Sequence, residues 1–383
     1  MTRFVVLGLL LIGLAGGYVY AFLQVGADYL PVWTDEGVYC QNARAAYETH
    51  TLQAAFTFNG TGNSWLGTDA HGPAFYLVHG GLAKLTGWSP QNLILLNVLL
   101  LIGGISMVMA WPERKLEVKM MGMILLMCWP YGLLFSLTFM QEMVHFPIAV
   151  LAGLLLFQLY VQKRSSGYVT GYVVLLVLAG LFRPLWLFWL IGLLPYAYER
   201  GKLYLGVLGW IAGVVLAYLL VHFLDESVPN YFSQQMGRLS RGEFDLFIKA
   251  GVWHVLINLK AFLVEQPSLL YAIFRFAPVV VLGVVFYLGV KTRNGLWLSL
   301  SAIGALNVAM LFLLYDAFDW REVRTMMPFY IACMLPLFFH APRAWRLRWI
   351  GIHVLALCLA IPLGKEWVEQ HRIGSAATLE EER

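Results

Sequence analysis

The 383-residue chain is 60% hydrophobic and 13% charged, with a formal net charge of +4, whereas soluble globular domains carry about 25% charged residues. Such a composition cannot build a water-facing surface, so a soluble enzyme or binding module is excluded. The small positive charge reads as membrane topology, not as a nucleic-acid surface.

Apolar runs of about 20 residues match the roughly 30 Å hydrocarbon core of a bilayer. Backbone groups in lipid must be bonded internally, so these runs read as helices. The ten-residue alternating segments of a membrane β-barrel do not occur. The expected fold class is an all-α polytopic integral membrane protein with about eleven spans, at residues 3–25, 90–111, 119–137, 143–161, 168–182, 184–198, 203–223, 269–290, 295–315, 326–341 and 349–363. The run after Arg3 could be a signal peptide, with a cleavage-like Val25-Gly26-Ala27. Its apolar core exceeds the 7–15 residues usual for such signals, so it is read as an uncleaved first span. Cys128, Cys333 and Cys358 fall inside spans and Cys40 outside, which implies no disulfide framework.

Five short basic hairpins orient the chain: Arg114, Lys115 and Lys119; Lys163 and Arg164; Arg200 and Lys202; Lys291 and Arg293; Arg343, Arg346 and Arg348. The positive-inside rule makes them cytoplasmic, together with the N-terminus. All five share one side only if residues 73–87 form a helix lying in the interface instead of crossing. Of 22 acidic residues, only Glu113, Glu117 and Glu199 are then cytoplasmic. Two outer loops, 26–87 and 224–268, are long enough to build something. Within the second, Phe244, Phe247, Ile248, Val252, Val255, Leu256, Leu259, Phe262 and Leu263 recur at helical spacing, as in an amphipathic helix on the outer surface. The organisation is a single transmembrane domain, 1–363, followed by a polar tail, 364–383.

No GxGxxG or GxxxxGK[ST] loop is present, so nothing is built to cradle a nucleotide. The predicted spans hold no Asp or Glu in their interiors, which argues against an ion-coupled transporter. The informative segment is the first outer loop. There Trp33-Thr34-Asp35-Glu36-Gly37 opens a helical stretch, and Thr68-Asp69-Ala70-His71-Gly72-Pro73 leads into the interfacial helix. Adjacent carboxylates at a membrane surface suit general-base work, one taking a proton while the other tunes it or orients a ligand. The plainer reading is that Asp35 and Glu36 are first-turn acids favoured by the helix dipole.

An Asp-Glu pair just after the first span, followed by a His-x-Pro element at the start of a juxtamembrane helix, resembles the GT-C superfamily of membrane glycosyltransferases, of the protein O-mannosyltransferase and aminoarabinose transferase type. The mannosyltransferases usually carry His-Pro-Pro where this chain has His71-Gly72-Pro73. The segment from Arg321 to Pro328 is similar to the Arg-Tyr-x-x-Pro element of bacterial members, with Thr325 in place of the Tyr. Arg183-Pro184 lies where several relatives have Lys-Gly.

This resemblance implies a GT-C-like, inverting glycosyltransferase of the bacterial inner membrane. It would take its sugar from a polyprenyl-phosphate carrier and transfer it to a lipid, glycan or protein acceptor on the periplasmic side. Asp35 is then the expected general base and Glu36 its partner. His71, Arg183 and Arg324 would bind the donor phosphate, with Arg238 and Arg241 behind them. A guanidinium suits that task through its bidentate donors, although each arginine also reads as a snorkelling interfacial cation. Further site candidates are Asp69, Glu142, Arg275 and Arg321. Glu142 reads first as a helix-start carboxylate. No cofactor is expected; Asp35, Asp69 and His71 have the chemistry for a divalent cation but match no metal motif. The alternatives are another lipid-linked glycan enzyme, such as an O-antigen polymerase or ligase, or a lipid or glycan transporter.

Overall fold

The computed structural model describes residues 2–25, 34–49, 74–111, 115–161, 166–224, 231–264, 269–314 and 324–371, leaving aside a few side chains near segment ends, that of Asp35 among them. All described regular structure is helical. The helices are α1 (Thr2–Val25), α2 (Thr34–Thr49), α3 (Ala74–Thr86), α4 (Gln91–Ser106), α5 (Leu116–Met127), α6 (Pro130–Ser136), α7 (Glu142–Val161), α8 (Ser166–Gly180), α9 (Leu194–Glu199), α10 (Leu203–Leu224), α11 (Tyr231–Ser240), α12 (Phe244–Val264), α13 (Leu269–Thr292), α14 (Gly295–Leu314), α15 (Met327–His340) and α16 (Arg343–His371). A 3₁₀ segment, Met107–Ala110, extends α4, and a longer one, Pro184–Leu193, precedes α9.

Among the described residues eight helices are long and apolar enough to cross a membrane, or nine if α5 and α6, bent by 56° at their junction, form one broken span. The bend has a local cause: Pro130 opens α6 and holds Trp129 in an extended conformation. Seven of the eight overlap expected spans, and the eighth is α12 (Phe244–Val264), expected from the sequence as a surface helix and not as a span. The expected spans that are not matched each have a physical reason. Residues 326–341 become α15, 14 residues long and buried from Met327 to Phe339, so its length is matched to its protein neighbours and not to lipid. Residues 168–182 fall in the 15-residue α8. Residues 184–198 form the ten-residue 3₁₀ segment and the six-residue α9. A 3₁₀ helix rises about 2.0 Å per residue, so this piece reaches nearly as far as the hydrocarbon core is thick, ~30 Å, with few residues. The switch back to α geometry occurs where the Tyr160 hydroxyl inserts into the ladder, donating to the Gly192 carbonyl at 3.0 Å and accepting from the Tyr196 amide at 2.9 Å.

α7 and α15 form the centre of the bundle, with Phe146, Leu156, Phe329, Cys333, Met334 and Phe338 all buried. The lipid-facing pattern is inverted: Leu9 and Ile12 of α1, Leu208 of α10, Val280 and Phe286 of α13 and Ile352 of α16 are exposed apolar side chains. At α12 most of the predicted apolar stripe also points away from the protein, Phe262 excepted. Phe244, Ile248, Val252 and Leu256 are exposed, whereas His254, Asn258, Ala261 and Phe262 are buried. The helix meets the bundle near the end of α14, where Asn258 donates to the Phe312 carbonyl at 3.0 Å.

Close approach of α7 to α15 requires a glycine. A Cβ at Gly153 would lie 2.5 Å from the Ala332 carbonyl oxygen. α15 is enclosed and cannot retreat, so Gly153→Val is expected to cost about 1–3 kcal/mol, as overpacking does. A lowered thermal midpoint in detergent would report it. Gly283→Val, at a position with nothing within 4 Å, is the control expected to leave the midpoint unchanged.

The described basic hairpins gather at one end of the bundle. Arg343 at the start of α16 pairs with Glu117 at the start of α5, 3.4 Å apart. His340 at the end of α15 lies between Phe157, near the end of α7, and Trp297, near the start of α14. By chain direction, the starts of α7 and α15 and the end of α8 lie at the other end.

Candidate functional site

At that opposite end the connection from α6 to α7 is held by side chains, because its buried backbone groups have no helix or strand to bond to. Asn97 of α4 donates from Nδ2 to the carbonyls of Thr138 and Met140, both at 2.8 Å. Glu36 of α2, fully buried, accepts the Phe139 amide on Oε2 at 2.9 Å. Gln141 reaches the Tyr39 hydroxyl of α2 at 3.4 Å. The first-loop helix α2 is thus fastened to the start of α7. α3 is fastened to both neighbours: Asn42 donates to the Tyr76 hydroxyl at 3.2 Å, and the Ala74 amide donates to the Leu181 carbonyl at 3.2 Å.

Leu181 brings the chain to Arg183. Pro184 opens the 3₁₀ segment and forces the residue before it out of helical geometry, so Arg183 is extended, with φ −151° and ψ 114°. Arg324 arrives from the other side, in a 3₁₀ turn leading into α15. Both guanidinium groups meet the carboxylate of Glu142, the first residue of α7. Arg324 Nε lies 3.1 Å and Arg183 Nη2 3.6 Å from the same oxygen, Oε1. The Glu142 side chain is wholly buried, and those of Arg183 and Arg324 are only 10% and 8% exposed.

The two pairings are unequal. At 3.6 Å the Arg183 contact is too long for a hydrogen bond, and Arg183 donates none among the described residues, so its five N–H groups stay available to another acceptor. Glu142 is held by charge, since among the described residues neither carboxylate oxygen accepts a hydrogen bond of good geometry. Gln141 Oε1 and Asn97 Oδ1 are likewise buried acceptors without a donor among the described residues. A buried cluster of two guanidinium groups, with orphan acceptors on neighbouring residues, is suited to an anion that also bears hydroxyl groups.

The sequence candidates separate accordingly. Glu36, Glu142, Arg183 and Arg324 share one end, and the last three touch. Asp35 lies in the first turn of α2 next to Glu36, with its side chain outside the described residues. Asp69, His71 and Arg321 also lie outside the described residues. Arg275 is buried and bound elsewhere: Nη1 donates to the carbonyls of Phe262 and Ala261, the latter at 3.2 Å, and its guanidinium sits over the Phe262 ring. It satisfies carbonyls at the C-terminal turn of α12, which otherwise lack partners. Arg238 contacts Gln235 in its own helix at 3.3 Å, and exposed Arg241 pairs with Glu243 at 2.9 Å. Neither is joined to the Glu142 cluster by any described contact. No group of three or more His, Cys, Asp or Glu capable of holding a metal occurs among the described residues.

Sequence reasoning passed over Asn97, Tyr39 and His145. His145 lies one turn beyond Glu142 and accepts the Trp186 indole N–H on Nδ1 at 3.0 Å, which ties the residues flanking Glu142 and Arg183 together. For Asn97 and His145 the available signal was a polar residue interrupting an apolar run, because such residues face a bundle interior.

No protein-family model matches the sequence, and no curated protein does. Two solved structures are similar. The crystal structure of ArnT from Cupriavidus metallidurans bound to undecaprenyl phosphate aligns with a TM-score of 0.53 at 16% identity, covering 92% of this chain and 65% of that one. The Archaeoglobus fulgidus oligosaccharyltransferase in its apo form aligns with a TM-score of 0.48 at 13% identity, covering 95% of this chain and 55% of that one. This chain thus spans about two-thirds of the length of the transferase it matches. The likeness to ArnT is one of fold, an all-helical membrane architecture shared over 92% of this chain.

Proposed function

We propose that this protein is a membrane glycosyltransferase that moves a sugar from a polyprenyl-phosphate carrier to an acceptor hydroxyl on the extracytoplasmic side, with inversion. The observation that carries this reading is the convergence of Arg183 and Arg324 on one buried end of the bundle, beside the α2 helix that bears Asp35. The shared fold with a transferase whose structure holds undecaprenyl phosphate supports it. So does the position of the basic hairpins at the far end, which the positive-inside rule makes cytoplasmic.

In this reaction Asp35 takes the acceptor's hydroxyl proton as its oxygen bonds to the anomeric carbon. The bond from that carbon to the phosphate oxygen breaks, and the carrier phosphate leaves with the electron pair. Pre-positioned guanidinium groups stabilise the growing charge without reorganising. Arg183 and Arg324 supply them, and His71 joins from the segment just before Ala74, whose amide is bonded beside Arg183 at Leu181. Glu36 fixes α2 so that Asp35 keeps its place. Gln141 Oε1 accepts a hydroxyl of the donor sugar. The prenyl tail enters from the lipid between helices, and no cofactor takes part in the reaction as written.

The test is transfer by the purified protein in detergent, supplied with a polyprenyl-phosphate-linked sugar and candidate lipid, glycan or protein acceptors. Cleavage of the sugar–phosphate bond with formation of glycosylated acceptor is the expected result. Movement of intact carrier between vesicle leaflets, with no bond cleaved for any acceptor, would make the protein a transporter.

A further inference from the structure

We infer that Glu142 is a built-in counter-ion that lowers the charge of the carrier-phosphate pocket and thereby governs release of the spent carrier. This rests on Arg183 and Arg324 holding that phosphate.

Three features of Glu142 point to a charge-setting role. It is wholly buried, so water does not screen it. It touches both cations through one oxygen. Among the described residues its oxygens accept no well-formed hydrogen bond, so it anchors no hydrogen-bonded scaffold there, a part that Glu36 and Asn97 already play in the neighbouring loop.

The ligand's charge changes during turnover. The sugar-bearing carrier is a phosphodiester with one negative charge. The product is a phosphomonoester, whose second ionisation near pH 6 brings it to about −1.5 to −2 at neutral pH. Two buried guanidinium groups alone would hold that product more tightly than the incoming donor, and the site would stall. A fixed carboxylate beside them repels the ligand in proportion to its charge. The spent carrier therefore feels more repulsion than the donor.

Binding of undecaprenyl phosphate to the full-length protein in detergent at pH 7.5 tests this. Glu142→Gln is expected to bind it at least about tenfold more tightly than wild type. Its multiple-turnover rate should fall through product inhibition, and by more than its single-turnover rate does. At pH 5.5, where the monoester carries less charge, the gain should shrink. Glu142→Asp keeps the charge and should bind as wild type does. Equal or weaker binding by folded Glu142→Gln would overturn the inference, because it would make the carboxylate only a brace for the arginines.

Should Glu142→Gln fail to fold, the double variant Arg183→Gln/Glu142→Gln, which keeps the net charge of the wild-type cluster, is compared with Arg183→Gln alone. Removing Glu142 is expected to restore about tenfold of the lost carrier binding; no restoration sinks the counter-ion role. An Arg183→Gln variant that binds carrier as wild type does would instead overturn the phosphate assignment beneath it.

Discussion

Asp35→Asn is expected to lower glycosyl transfer by about 10²–10⁴-fold, the range a positioned general base supplies, while carrier binding and the thermal midpoint stay close to wild type. The change removes one charge and alters the side chain's shape very little, so a loss confined to transfer reads as loss of the proton acceptor. The neighbouring carboxylate cannot take over. Glu36 is buried and its Oε2 is engaged by the Phe139 amide at 2.9 Å, which fastens α2 to the loop before α7. Glu36→Gln supplies the contrast: its amide oxygen can still accept from Phe139, so transfer should fall by less than about tenfold, with a lowered midpoint as the larger effect. An Asp35→Asn enzyme of normal activity would remove the proposed base.

That contrast shows where the sequence was readable. Residues 34–37 announce a carboxylate pair at a helix start, but nothing in their order separates the one spent on a backbone amide from its neighbour. The same limit holds for the membrane spans. Runs such as 203–223 and 269–290 are legible because lipid demands both length and apolarity. α15 is equally apolar and yet a core helix, and hydrophobicity on all faces does not distinguish a protein surround from a lipid one. The 3₁₀ segment after Arg183 escaped notice because its extra rise per residue leaves no mark in hydropathy. In the site, Glu142, Arg183 and Arg324 each stand out singly as charges at span mouths. Their meeting does not, since it depends on the packing of α7 against α15 through Gly153, a contact between positions 179 residues apart (332 − 153). Arg275 carries the same sequence signal as Arg324, a cation near a span end, and only the carbonyls at the end of α12 reveal its separate work.

The Arg324 side chain is the closer partner of Glu142, 3.1 Å against 3.6 Å for Arg183, and its removal should be the most damaging change to fold and transfer together. Arg324→Ala leaves a buried carboxylate facing one distant guanidinium. Breaking a buried pair from one side costs up to about 3–5 kcal/mol, and Arg183 offsets part of that by moving closer. In doing so Arg183 gives up the open donors that suit it to phosphate, so transfer is expected to fall by about 10²-fold or more, the scale seen when a transition-state donor is lost. Arg324→Lys separates the two effects. An ammonium group restores the charge that Glu142 requires, so the thermal midpoint should return most of the way. It lacks the planar fork that grips two oxygens at once, so transfer should recover only in part. Measured together, midpoint and transfer rate should therefore diverge in the lysine variant and fall together in the alanine variant. A lysine enzyme with full transfer would reduce Arg324 to a source of charge. An alanine enzyme that keeps both stability and transfer would remove it from the site.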